Sequence, residues 1–316
     1  MRAIVTRLKS DGIREKVLVD DWQDPGAPAA NEVRTHTLYS GITNGTERND
    51  LLGGNYASAD HELPAIGGYQ NVGEVVEVGT GVQDLEFGDL LYMSQSHREF
   101  CLEPENRLHI KLPAEIKPAE AALFGVAGVA MRCCRNADLR IGDRMLVVGA
   151  GIVGQLAAQI AACTGACVTL CDINDHRLEI AKSIGAVDEV INVAGDGWDK
   201  HIHDFGFDVV LDAAGVPDME DKLIAAAKKH GTVMFIAGRF RVEYTFNRGQ
   251  GREITIKQNS HFDNSDLRHM CRFALKGMIQ IAPLIQDVVP VDKAQGIYET
   301  LRDEPQKLFG TVFDWR

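Results

Sequence analysis

The chain has 316 residues, 45% hydrophobic and 25% charged, with a formal net charge of −12. That length predicts about two domains, each able to bury its own core. The acidity argues against nucleic acid or an anionic membrane surface as the main partner, because both call for basic patches. The seven cysteines are odd in number and form no C-x-x-C pair. Neither a disulfide framework nor a zinc ribbon is signalled, and reduced thiols in a cytoplasmic protein are expected.

Met1 to Val5 reads as a strand from the start, with no room for a signal peptide. Glu32, Arg34 and His36 then alternate with Val33, Thr35 and Thr37, the period of a half-exposed strand. Gly73 to Gly79 and Gly88 to Met93 predict two more strands. With no long helical period, the first hundred residues point to a β-barrel or sandwich. The composition changes between Leu112 and Pro118, and Ala119 to Cys134 is helix-prone. The expected division is therefore 118–263 for a second domain and 1–117 with 264–316 for the first.

From Met145 the pattern becomes alternating strand and helix, the mark of a parallel sheet with crossover helices. The stretch Met145 to Asp172 is uncharged up to its last residue and long enough to span a bilayer, but its glycine turn and changing period predict strand, turn, helix and strand. Gly149, Gly151 and Gly154 form a G-x-G-x-x-G placed after a strand and before a helix, with Ile152 and Val153 opening that helix. In this context the first glycine permits the tight turn and the second admits a pyrophosphate. The third lets helix and strand pack closely, and the helix N-terminus faces the negative charge. Asp172, ending the next strand, would hydrogen-bond the adenosine ribose, which favours NAD over NADP. Asn174 should cap a helix that stops at Gly185. Strands follow at Glu189 to Asn192, Phe207 to Asp212, Gly231 to Ala237 and Arg252 to Lys257. Ala214, Ala237 and Gly238 would lie at the carboxyl edge of the sheet, beside the nicotinamide. Asp263 to Lys276 predicts a helix ended by Gly277, Asp292 another, and Leu308 to Trp315 a last strand. Cys133, Cys134, Cys163, Cys167 and Cys171 fall on helix, strand and strand end, where buried apolar roles are expected.

This order of parts resembles the medium-chain dehydrogenase/reductase superfamily over nearly the whole chain. Ser40-Gly41-Ile42-Thr43-Asn44-Gly45-Thr46-Glu47 is similar to the family's G-I-C-G-T-D segment. Gly67 to Val76 is similar to its G-H-E-x-x-G-x-V segment, and Gly88-Asp89 to its G-D. Asp172-Ile173-Asn174, followed by Arg177, resembles its ribose-binding stretch. Between Tyr39 and Gly79 the wording is closest to the bacteriochlorophyllide dehydrogenase and threonine-dehydrogenase-like branch. The resemblance implies a doubly wound Rossmann domain, a GroES-like barrel completed by the C-terminal tail, and an active site in the cleft between them. It also implies a homodimer through the sheet edge at Arg252 to Lys257.

The departures from the family pattern bear on the chemistry. Where zinc-dependent members place Cys, His, Glu and a later acid or Cys, this chain has Thr43 or Asn44, Tyr69, Gln70 and a residue near Gly125. These are poor partners for Zn²⁺, which takes thiolate, imidazole or carboxylate, and the four-cysteine structural-zinc lobe is missing. The resemblance therefore implies a zinc-free member with no metal site. Thr46 aligns with the family's proton-relay hydroxyl, and Tyr69, in a metal ligand's place, would project its phenol toward substrate. An ordinary phenol near pKa 10 would need lowering to act as a base. Gln70 would orient either group, and Glu47 reads as structural. His97 falls where the resemblance places the lining of the substrate pocket, against which stands an exposed loop histidine, and His61, beside Asp60 and Glu62, reads as a solvated loop residue. The expected activity is NAD-dependent hydride transfer between a small-molecule secondary alcohol and its ketone. A reductase of activated C=C or C=N bonds, or a non-catalytic NAD(H)-binding protein, are the readings set against it.

Overall fold

A computed structural model describes residues 1–316. They divide into one unit of Met1–Gly125, Asp263–Cys271 and Ile285–Arg316, and another of Val126–Phe262 and Arg272–Leu284.

The first unit opens with strands β1 (Ala3–Leu8), β2 (Arg14–Val19) and β3 (Glu32–Gly41), then helix α1 (Asn44–Leu51). Strands β4 (Ala65–Ile66), β5 (Asn71–Val78), β6 (Leu90–Met93), β7 (Phe100–Pro104) and β8 (His109–Lys111) follow, and a short helix α2 (Pro118–Ala121). In β3 the period of two is realised, with Val33, Thr35 and Thr37 buried and Arg34 and His36 half-buried. Strands β1, β2 and β4 form a small antiparallel sheet. Helix α1 has no counterpart in the sequence reading. It has eight residues and buries only Glu47 and Leu51, too little to register as an apolar period.

The second unit is built from α3 (Phe124–Asn136), whose first two residues belong to the first unit, β9 (Arg144–Val148), α4 (Ile152–Cys163), β10 (Cys167–Asp172), α5 (Asp175–Ile184) and β11 (Glu189–Asn192). It continues with α6 (Gly197–His201), β12 (Phe207–Asp212), α7 (Glu220–Ala226), β13 (Ala227–Phe235), α8 (Phe246–Gln250) and β14 (Thr255–Gln258). The six strands run parallel in the order β11-β10-β9-β12-β13-β14. That is the doubly wound order 3-2-1-4-5-6, with its reversal between β9 and β12, where dinucleotides bind. Leu146, Val210, Leu223, Ile224 and Val233 are fully buried in its core, each such side chain contributing about 1.5–3 kcal/mol. The Asn174 side chain caps α5 by accepting from the Arg177 amide, and Gly185 ends it at φ 71°.

The chain closes with α9 (Asn264–Leu275), β15 (Asp287–Pro290), α10 (Ala294–Asp303) and β16 (Thr311–Asp314). Strand β16 pairs antiparallel with β3, matching Phe313 to Ser40, and Trp315 Nε1 donates to Ser40 Oγ at 2.8 Å. The tail thus completes the seven-stranded, mostly antiparallel sheet of the first unit.

Several boundaries differ from the sequence reading. The segment Ala119 to Cys134 breaks into α2 and α3 at Ala122-Leu123. Strand β13 starts at Ala227, ahead of the left-handed residue His230 (φ 63°). Strand β14 starts at Thr255 because a turn with Glu253 at φ 53° takes up the preceding residues. Cys133, Cys134 and Cys171 are buried as expected, whereas Cys167 at the open start of β10 is exposed.

Candidate active site and nucleotide loop

The glycine loop follows β9, and its three glycines have three different reasons. Gly149 has φ +99°, and a Cβ there would lie 2.9 Å from the Ala214 amide nitrogen. A Cβ on Gly154 would fall 1.8 Å from the Gly149 carbonyl oxygen, so α4 can cross the strand this closely only without a side chain. Gly151 precedes α4 with nothing within 4 Å of a built Cβ and no side chain capping the helix. The first amides of α4 have no intrahelical partner, so the open space beside them suits a phosphate.

Asp172 is buried at the end of β10. Its Oδ2 accepts from the Ala150 amide at 2.6 Å and its Oδ1 from the Asn174 amide at 2.8 Å. The acid therefore ties the glycine loop to its own strand end, a second duty the sequence pattern does not show. Ile173 beside it is 70% exposed, an apolar face beside the acid. Arg177 is half-buried on α5, its carbonyl taken by Gln155 Nε2 at 2.7 Å. Across the switch point, Asp212 Oδ1 accepts from the amides of Ala214 (3.1 Å) and Gly215 (2.9 Å). Ala214 and Gly238 are exposed and Ala237 half-buried. These residues fit a dinucleotide laid across the carboxyl edge.

In the first unit, the four positions that depart from the zinc pattern meet. Gln70 Nε2 donates to Thr43 Oγ1 at 3.1 Å and also approaches the Gly41 carbonyl. The Tyr69 phenol is hydrogen-bonded to the side chains of Thr43 and Thr46. A Cβ on Gly125 would lie 2.4 Å from the Tyr92 hydroxyl and 3.0 Å from both Gln70 Cγ and Tyr69 Cε2. Burial raises the Tyr69 phenol; its bonds to the threonines act against this, and the Glu47 charge reinforces it. The result is a pKa of about 12. The lowering that a base would need does not occur, and the phenol stays protonated. Neutral phenol, hydroxyl, amide and a glycine do not fit tetrahedral Zn²⁺. No group of three or more His, Cys, Asp or Glu side chains is arranged to hold a metal ion.

Behind the hydroxyls lies a buried charge. Glu47 Oε1 accepts from the Thr43 amide at 2.7 Å, Oε2 from the Tyr298 hydroxyl at 2.5 Å, and His97 Nε2 lies 3.2 Å from both oxygens. Burial alone would raise the Glu47 carboxyl, but the His97 charge and hydrogen bond, Lys16 and Tyr298 outweigh it and hold it at about 2. An ionised carboxylate only accepts, so Nε2 of His97 carries the proton between them. His97 is fully buried, which corrects its reading as an exposed loop residue. Glu47 is structural in the sense expected, since it fixes the turn carrying Thr43 and Thr46. His61 remains exposed.

The network of Glu47, His97 and Tyr298 was not found by sequence reasoning. Gln95 and His97 continue the buried positions past the end of β6, but their polar side chains hide this in the sequence. Tyr298, 251 positions from Glu47, gave no local sign.

A family model described as zinc-binding dehydrogenase matches residues 153–276. An L-threonine 3-dehydrogenase of Saccharopolyspora erythraea is 24% identical over 100% of this chain and 99% of its own. That of Pseudoalteromonas atlantica is 26% identical over 76% of this chain and 80% of its own. A short chain alcohol dehydrogenase of Escherichia coli CFT073, solved with NADH, superposes with a TM-score of 0.84 at 17% identity, covering 100% of this chain and 99% of that one. The fold is thus a Rossmann domain with a GroES-like domain, as the sequence reading expected, and the proteins this chain is similar to are oxidoreductases.

Proposed function

We propose that the chain is a nicotinamide-dependent oxidoreductase that interconverts a secondary alcohol and its ketone without a catalytic metal. The observation that carries this is the meeting of Thr43, Tyr69 and Gln70 where the zinc pattern calls for ligands, with Thr46 bonded to the phenol beside them. The relatives' names point the same way, since carbon 3 of L-threonine bears a secondary alcohol.

The nicotinamide, when bound, supplies or accepts hydride; the rest falls to the chain's own residues. Gly149, Gly151, Ile152, Val153 and Gly154 receive the pyrophosphate, and Asp172, Ile173 and Arg177 the adenosine, with NAD preferred to NADP. Ala214, Ala237 and Gly238 border the nicotinamide ribose. Tyr69 donates a hydrogen bond from its neutral phenol to the substrate oxygen, and Thr46 passes the proton, as general acid catalysis requires. A phenol held near 12 starts in the protonation state that ketone reduction needs.

The deciding experiment is an NAD(H)-coupled screen of alcohols and ketones on chelator-treated protein. Turnover that survives metal removal supports the reading, and an essential, stoichiometric zinc would sink it. Unchanged rates in a Thr46→Val, Tyr69→Phe double variant would favour C=C or C=N reduction instead. NADH binding with no turnover on any substrate would make the chain a non-catalytic binder. The reading includes a cytoplasmic homodimer joined through β14, an edge strand of the six-stranded sheet. Sedimentation as a single chain at micromolar concentration would refute that assembly.

A further inference from the structure

The row of close approaches that starts at the glycine loop continues away from it. A Cβ on Gly149 would meet Ala214, and one on Gly215 (φ +68°) would lie 2.8 Å from Ala237 Cβ. The turns after β9, β12 and β13 are therefore in mutual contact. The ends of β12 and β13 are tied by the Ile236 and Ala237 amides, which donate to the Asp212 carbonyl at 3.2 and 3.4 Å, and one side chain braces the turns beyond them. Arg239 Nη2 donates to Asp212 Oδ2, Nη1 to Glu220 Oε1 at 3.0 Å, and Nε to the Ala237 carbonyl at 3.2 Å. Asp212 in turn holds the Ala214 and Gly215 amides, and its carboxylate and that of Glu220 are both buried. One planar fork thus bonds two buried acids and a backbone carbonyl at once, which the point charge of a lysine cannot reproduce.

The strand order places this clamp. Asp172 lies on the β10 side of the switch point and Asp212 on the other. A dinucleotide whose adenosine meets Asp172 must lay its nicotinamide half over the turns after β12 and β13. We propose that Arg239 is the positioning residue for the nicotinamide half of the cofactor: forked between Asp212 and Glu220, it sets the spacing of the 213–215 and 237–238 turns that flank the nicotinamide ribose. This rests on the dinucleotide reading above.

The test measures, by calorimetry, the affinity of the purified protein for NADH and for ADP-ribose, which lacks the nicotinamide. Arg239→Met should weaken NADH about tenfold or more and change ADP-ribose by less than about threefold. Arg239→Lys, which keeps the charge and reaches one acid, should weaken NADH about fivefold and leave ADP-ribose within about 1.5-fold of the parent. It decides the matter if the methionine variant does not fold. NADH affinity unchanged, or NADH and ADP-ribose weakened together, would overturn the assignment, since a merely structural role cannot separate the two ligands. Failure of the parent protein to bind either ligand would overturn the dinucleotide reading itself, and with it the assignment.

Discussion

The nucleotide loop and the hydroxyl site are built on opposite principles. At the loop, three glycines within six residues supply most of the geometry, and their purpose is to have no side chain. At the hydroxyl site, Thr43, Thr46, Tyr69 and Gln70 come from two segments, and His97 and Tyr298 from two more. There the side chains are the whole content. A loop made of omissions tolerates no additions, whereas a site made of hydroxyls should lose activity by degrees.

The sharpest way to break that contrast is at the glycines themselves. Gly154→Ala puts a Cβ 1.8 Å from the Gly149 carbonyl and should destabilise the fold by more than about 3 kcal/mol, read by denaturant unfolding. Gly151→Ala meets nothing within 4 Å, so stability should stay within about 1 kcal/mol while NADH affinity drops about tenfold or more. Equal effects of the two substitutions would mean that Gly151 does not face a ligand.

At the hydroxyl site, Tyr69→Phe should lower turnover of the substrate found by the screen by about 10²–10³-fold, with NADH affinity intact. Because the phenol is held near 12, the parent's ketone-reduction rate should show no phenol ionisation between pH 8 and 10. A phenolate absorbance rising in that range in the parent but not in Tyr69→Phe would contradict it.

Glu47 tests the support beneath the hydroxyls. Its folded pKa of about 2 lies below the ordinary 4.5. Its stabilisation is therefore complete above pH 4.5 and disappears as the pH falls through 2. The difference amounts to about 3 kcal/mol. Glu47→Gln should remove that amount at pH 7 and flatten the acid limb of the stability curve, which thermal melts across pH 2 to 7 would report.

The smallest expected effect is at Asp172. Asn keeps an acceptor for only one of the two amides that Asp172 holds and loses the charge, so Asp172→Asn should narrow the preference for NADH over NADPH by about tenfold. Comparison of the two cofactors by fluorescence titration checks it, and an unchanged ratio would confine Asp172 to its internal bonds.

How much could be read in advance follows from the same contrast. The Rossmann strands, the Asn174 cap and the Gly185 stop were legible because their causes are local: period, cap and left-handed turn within a few residues. The alignment of Thr43, Tyr69, Gln70 and Gly125 as one spot came only from the resemblance, and the protonation state of Tyr69 was not legible at all. It depends on burial and on Glu47, whose ionisation depends on His97 and Tyr298. Fields of that kind belong to the folded chain and not to any segment of it. An exposed loop was the wrong setting for His97 because its burial rests on Glu47, fifty positions away and invisible to any local pattern.

Gly125 carries one more consequence, for reversibility. Its missing side chain leaves room for the Tyr92 hydroxyl, which donates to the Tyr69 carbonyl at 3.0 Å, so two neighbours have grown into the fourth corner of the spot. Restoring Cys, His and Glu at 43, 69 and 70 would still leave that corner closed, because any side chain at 125 collides with Tyr92 first. Building any side chain at 125 must begin by shortening Tyr92, a residue no ligand motif would name. The glycine at 125 therefore couples that position to Tyr92 more tightly than to any of the residues at 43, 69 and 70.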